Sequence, residues 1–206
     1  PQGLQVEGFE YLPVLATPSD PAYLPPLVEA CGYTKHADAL VYQMDIPAVL
    51  PATYQRLSQR VMAHGGLRLL HLRSKRDLEP WILPVLRLVN DTYMDLLGFM
   101  PMSEEEMQEL AAKYMPVLDP SLVKLIVDAD GMPVAFVVAM PDMSVGLQRA
   151  KGRLFPLGWW HIPRAMRNTK QLDLFLGAVR RDHQGRGLTA VLATSLFQEA
   201  RARGLT

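Results

Sequence analysis

Apolar positions change their period several times along the chain, and each change marks an element. Leu172–Val179 (LDLFLGAV) is a short apolar run of β-compatible residues and predicts a buried strand. After Gly187, residues Leu188, Val191, Leu192 and Leu196 fall at the i, i+3, i+4 spacing of one helix face. Gln198, Glu199, Arg201 and Arg203 fall mostly on the other side. Between strand and helix lies a charged stretch, Arg180 to Gly187, with Gly185 and Gly187 one residue apart.

Upstream, Leu67–Arg73 reads as a strand. Ser74 or Asp77 then caps a long helix with apolar Leu78, Trp81, Ile82, Val85, Leu86, Val89, Tyr93 and Leu96. Pro80 suits its first turn, and Pro84 kinks it or moves its start. Ser103-Glu104-Glu105-Glu106 is a capping box that opens a second helix, to about Met115. Leu122–Asp128 and Pro133–Met140 are strands joined through Asp130-Gly131, a hairpin signal.

The remaining segments are less regular. In residues 4–46, Phe9–Leu12 suggests a short strand, Tyr23–Ala30 a helix ended by Gly32, and Asp38–Ile46 an alternating strand. Pro47–Gly66 carries Tyr54, Leu57, Val61 and Met62 at helical spacing and reads as a linker helix. Residues 143–170 hold Arg149, Lys151, Arg153, Arg164, Arg167 and Lys170, no acid, and the aromatics Phe155, Trp159 and Trp160. Three readings stay open for them: a lid packed on the sheet, a lid lining a ligand site, or a basic-aromatic surface for membrane or nucleic acid.

Composition narrows the class. The 206 residues are 49% hydrophobic, which allows a real core. Basic and acidic side chains balance at 21 each, against the basic excess of a dedicated nucleic-acid binder. A single cysteine, Cys31, permits no intramolecular disulfide and points to a reducing, cytoplasmic setting. No apolar run approaches the ~20 residues of a membrane span. The last residues, Gly204-Leu205-Thr206, stand where a further strand is expected, so the sequence reads as part of a longer protein. His71, His161 and His183 have no zinc-ligand spacing, and no metal site is expected.

Strand, glycine loop and helix together suit an anion. Amides at a helix start have no carbonyl partner, the helix dipole favours negative charge there, and glycine lets the ligand approach the backbone. Arg180, Arg181 and Arg186 add charge around the loop. Gln184-Gly185-Arg186-Gly187-Leu188-Thr189 resembles the Gln/Arg-x-x-Gly-x-Gly/Ala motif of the GNAT superfamily of acyl-CoA-dependent N-acyltransferases, except that Thr189 replaces a small residue. Leu174–Val179 looks like that family's preceding strand. The resemblance covers about residues 67–206 and implies an α/β (α+β) fold: a mixed, mostly antiparallel sheet flanked by helices, incomplete at its C-terminal side.

The resemblance also implies a function: transfer of an acetyl or other acyl group from acyl-CoA to an amine acceptor. Gln184, Gly185, Arg186, Gly187, Leu188 and Thr189 would then bind the coenzyme pyrophosphate, and Gly177, Ala178 and Val179 the pantetheine arm, with the amide of Val179 or a neighbour polarising the thioester. Asp173 occupies the place of a base found on that strand in some members; a solvated carboxylate at a strand start is the competing reading. Residues 1–46 resemble the tail of a preceding GNAT-like unit, or closing strands given to a second copy in a homo-oligomer; a simple N-terminal appendage is the competing reading. They carry Val28 where many members have a tyrosine acid. Residues 47–66 would link them to the acyl-CoA-binding domain, 67–206. Two alternatives stay open: a non-catalytic CoA-binding or interaction module, and a dinucleotide-binding fold. For the latter, Gly185–Ala190 matches Gly-x-Gly-x-x-Gly/Ala, but five residues separate the strand from its first glycine. The acceptor and the acyl chain length are not legible.

Overall fold

The computed structural model describes residues 3–15, 17–64, 66–153, 155 and 158–205. The chain divides into two compact units, Pro1–Asp45 with Pro141–Gln171, and Ile46–Met140 with Leu172–Thr206.

In the first unit the only helix before residue 46, among the described residues, is α1 (Leu24–Ala30). The alternating stretches Phe9–Leu12 and Asp38–Ile46 form no strand, contrary to the pattern. A strand is stabilised by a hydrogen-bonded neighbour and one buried face. Here consecutive side chains Leu40, Val41 and Tyr42 are all exposed, so neither condition is met.

The second unit begins with α2 (Ala52–His64) and the short strand β1 (Arg68–Leu70). Ser74 then caps α3 (Lys75–Leu78) in a capping box with Asp77. The expected long helix is broken here. A 3-10 turn, Glu79–Trp81, holds Pro80, and α4 starts only at Ile82 and runs to Tyr93, with Pro84 in its first turn. Ser103 and Glu106 form the second capping box and open α5 (Glu104–Tyr114). Strands β2 (Val123–Val127) and β3 (Pro133–Pro141) follow, joined by a turn in which Gly131 has φ +80°. In the first unit, α6 (Ser144–Ala150) and α7 (Gly158–Asn168) occupy the long basic connection. The chain returns to the second unit as β4 (Leu172–Val179) and α8 (Leu188–Ala202).

The sheet has the order β1-β2-β3-β4. β1 pairs antiparallel with β2, and β2 antiparallel with β3. The Arg180 amide, just past β4, bonds the Val134 carbonyl at 2.8 Å at the start of β3, so β4 also runs antiparallel. A dinucleotide-binding fold needs parallel strands and a tight turn at the first glycine. This sheet has neither, because residues 181–183 form a 3-10 turn between β4 and α8.

Helices cover both faces of the sheet, which explains the near-continuous apolar runs of β2 and β3. On one face Leu125, Val127 and Phe136 pack with Leu88 and Val89 of α4. On the other, Ile126, Val134 and Ala135 pack with Leu188, Val191 and Leu192 of α8. Val61 and Met62 of α2 join this second cluster. α2 is therefore an outer layer packed on α8 rather than a linker alone.

Gly187, which caps α8, shows why the two helices meet so closely. Its φ is +82°, and a Cβ there would sit 3.2 Å from Leu57 and Val61 of α2. Gly187→Ala is therefore expected to lower stability by about 1–2 kcal/mol from backbone conformation alone, more if Leu57 cannot move. In urea unfolding, adding Leu57→Ala should cost less in the Gly187→Ala background than in the wild type, because there it also relieves the clash. Strict additivity would show that the contact is not felt.

Candidate functional site

One cleft gathers most of the sequence-predicted residues. It encloses about 840 Å³ beside β4 and the start of α8, and Gly177, Ala178, Val179, Gln184, Gly185, Gly187, Leu188 and Thr189 line it. Arg186 is exposed next to this wall but is not part of it. Thr92, Tyr93 and Leu96 form another side. Phe136 and Val137 of β3, with Leu192, Ala193, Leu196 and Phe197 of α8, supply apolar surface.

The turn at one end has the geometry of an anion cradle. Gly185 (φ +72°) and Gly187 (φ +82°) both lie in the left-handed region, so the chain folds sharply ahead of α8. The first α8 amides accepted by a carbonyl in this turn are those of Ala190 and Val191, both bonded to the Gly187 carbonyl. Amides ahead of them have no intrahelical acceptor, and the dipole of a 15-residue helix adds positive potential. A Cβ at Gly185 would meet nothing within 4 Å.

The arginines do not all converge there. Arg180 pairs with Asp128 (3.1 Å) in the β2–β3 turn and with Asp182 (2.8 Å) in its own loop. Arg181 pairs with Asp95 at 2.7 Å. Arg186 has no carboxylate partner among the described residues, unlike Arg180 and Arg181. The Arg180 pairs tie the loop to the central hairpin. Asp182 also lies 2.9 Å from the Nδ1 of His183, a cleft residue; if that nitrogen carries the proton, Nε2 is left as acceptor.

The outward edge of β4 is partly closed by the chain's own side chains. Tyr93 Oη donates to the Gly177 carbonyl at 3.0 Å, and the Gly177 amide donates back to it at 3.4 Å. Gln184 Nε2 donates to the Val179 carbonyl at 3.1 Å. Phe99 meets the Tyr93 ring edge-on at 5.6 Å and helps fix it. The Asn90 amide donates to the Met102 carbonyl (2.8 Å) and accepts from the Met102 amide (3.0 Å). It therefore fastens the α4–α5 connection.

Asp173 is placed differently from the loop residues. It is buried at the start of β4, not solvated, and it is not on the cleft wall, whereas its neighbour Leu174 is. Among the described cleft residues the ionisable side chains are Tyr93 and His183. In the sequence Tyr93 reads equally as a site-lining residue or as core, and its contact with a strand 84 residues away appears only in the fold.

No family model matches the chain. It is 34% identical over 158 residues, 76% of its length, to a Caulobacter vibrioides (strain NA1000 / CB15N) protein named bacterial ceramide synthase, of which the match covers 40%. It is 26% identical over 204 residues, 97% of its length, to protein YghO of Escherichia coli (strain K12), covering 51% of that protein. The chain thus spans about half, or less, of the length of these curated relatives. Among the described residues no helix is long and apolar enough to cross a membrane.

The two carboxylates that hold Arg180 set a pH window. Hydrogen bonds from Arg180 and His183 hold Asp182 well below the usual carboxylate range. Burial raises Asp128, but the Met132 amide and Arg180 outweigh it and leave it lowered. Depressed acids contribute stability that is present above their unfolded value, about 4, and lost as pH falls through the lower folded value. The loop is therefore expected to stay anchored at pH 5 and to loosen only in stronger acid. A carbonyl-detected NMR titration should show Asp182 titrating below a free aspartate. Arg180→Ala should move its midpoint upward; an unmoved midpoint would refute the clamp.

Proposed function

We propose that the cleft binds an acyl-CoA and that the protein transfers its acyl group to an amine. In this reading the coenzyme pyrophosphate lies at the Gln184–Thr189 turn, met by the unpartnered amides and by Arg186. The observation that carries it is the joining of that turn, in one cleft, to the outward edge of β4 and an apolar wall. An anion site alone would fit many ligands. An anion site continued by a strand edge fits a phosphate followed by an extended amide arm.

The structure adds a constraint to that pose. Tyr93 already occupies the polar edge of Gly177, so an amide arm must displace the phenol or take its hydrogen bonds on one side of it. Val179 precedes Arg180, whose amide faces β3, so strand alternation turns the Val179 amide outward, toward a ligand. Acyl transfer needs a neutral amine that attacks the thioester carbon, with the thiolate as leaving group. Tyr93 and His183 are the cleft side chains with protons to exchange. Asp173 is buried at the start of β4 and is not among the residues lining this cleft. The Caulobacter vibrioides relative's name points to a long-chain amino alcohol as the first acceptor to test.

Calorimetry of the whole protein with CoA and a long-chain acyl-CoA tests binding. Arg186→Ala should weaken both about tenfold, the scale of one lost charge-assisted bond, and more at low salt. Thr189→Trp, at an exposed cleft position, should abolish binding while the fold persists. Equal affinity in all three proteins would reject the site. Release of free thiol on adding the amine, with amide product by mass spectrometry, tests transfer. Binding without release would favour a non-catalytic module.

A further inference from the structure

The α6–α7 segment, used neither by the cleft nor by the sheet, carries an unusual surface. α6 and α7 pack through a small-residue contact. A Cβ on Gly146 would lie 2.8 Å from the Ile162 Cα and 2.9 Å from the Ala165 Cβ. Ile162 and Ala165 therefore supply the inward, packing side of α7. The outward side holds Trp159 and Trp160, 60% and 48% exposed, with Arg164 and Arg167 about one and two turns further on. Together with Pro163 and Asn168 these six residues form a shallow concavity of about 390 Å³. Phe155, just ahead of α7, is 80% exposed. Neither tryptophan is buried in the helix pair, and exposing such rings to water is costly.

Charge on this segment has one sign. Arg149, Lys151, Arg153, Arg164, Arg167 and Lys170 are all exposed, and residues 143–170 contain no acid. None of the six makes an ion pair with a carboxylate among the described residues. Arg164 lies over the Trp160 ring, 5.2 Å from its centroid, which holds a cation beside an aromatic face. The rest of the chain offsets these charges, since the total is balanced at 21 and 21.

We propose that the outward face of α7, with the basic residues flanking it, docks the protein on the surface of an anionic phospholipid membrane. Indole rings settle at the boundary between headgroups and acyl chains, where the apolar body is buried and the N–H stays wet. Arginines beside them reach lipid phosphates, and a one-signed basic surface is drawn to anionic lipid. A nucleic acid would satisfy the cations, but paired tryptophans on a helix flank need flipped or single-stranded bases to stack upon. The proposal does not depend on what the cleft binds.

Cosedimentation of the whole protein with phosphatidylcholine vesicles, with and without phosphatidylglycerol, tests it. Binding should require phosphatidylglycerol and weaken with salt. Arg164→Glu with Arg167→Glu should lower partitioning by about tenfold or more, since each basic residue near the surface contributes about fivefold. Trp159→Ala with Trp160→Ala should lower it comparably, and neither pair should alter ligand binding in the cleft. Wild-type protein gives a readout that needs no variant: brominated acyl chains should quench its tryptophan fluorescence. Trp159→Phe with Trp160→Phe should remove that quenching, leaving only the half-buried Trp81. Absence of quenching, unchanged partitioning of the arginine pair, or preferential binding to single-stranded DNA at the same salt would overturn the proposal.

Discussion

Burial of the β2–β3 hairpin on both faces is the constraint from which the rest of the second unit follows. Leu125, Ile126, Val127, Val134, Ala135 and Phe136 are fully buried. Successive residues of a strand face opposite ways, so such a hairpin needs a helix layer on each side. α4 supplies one layer and α8, backed by α2, the other. The cleft lies where β4 and the α8 turn leave that sandwich. Its floor, Phe136 and Val137, belongs to the hairpin itself. Arg180 then fixes the loop to the turn at the far end of the same hairpin.

Legibility in the sequence followed the range of the interactions involved. Elements set by local rules were readable. β4 has the bounds its apolar run implied, and the Ser103 capping box opens α5 where the motif stands. The Asp130-Gly131 turn joins the strands expected around it. Pro80 and Pro84 gave warning of the break between α3 and α4, though not of the 3-10 turn that fills it. Gathering Gln184, Gly185, Gly187, Leu188 and Thr189 with Gly177–Val179 in one cleft followed from their places on a strand-loop-helix unit.

Long-range effects were not readable. Arg180 and Arg181 were expected to serve a ligand, but Asp128 and Asp95, 52 and 86 residues away, take them up. Residues 38–46 have the alternation of a strand, yet alternation fixes only which face each side chain takes. It does not supply the neighbour. α2 looked like a connection because its apolar stripe is narrow; its role appears only when Val61 and Leu57 meet the helix cap at Gly187. The helices within 143–170 were hidden by a different signal, since their exposed aromatics and one-sided charge obscure the inward stripe of Ile162 and Ala165.

Tyr93 and Gln184 have a consequence for how the sheet can grow. β4 is the outer strand among the described residues, and an outer strand invites any extended chain to zip along it. Here the phenol occupies both polar groups of Gly177, and the glutamine amide takes the Val179 carbonyl. A strand arriving beside β4 can pair near Phe175 but cannot continue in register past Gly177 while those side chains hold their places. It must veer away. While they hold their places, the two side chains therefore oppose edge-to-edge pairing along β4 beyond Gly177.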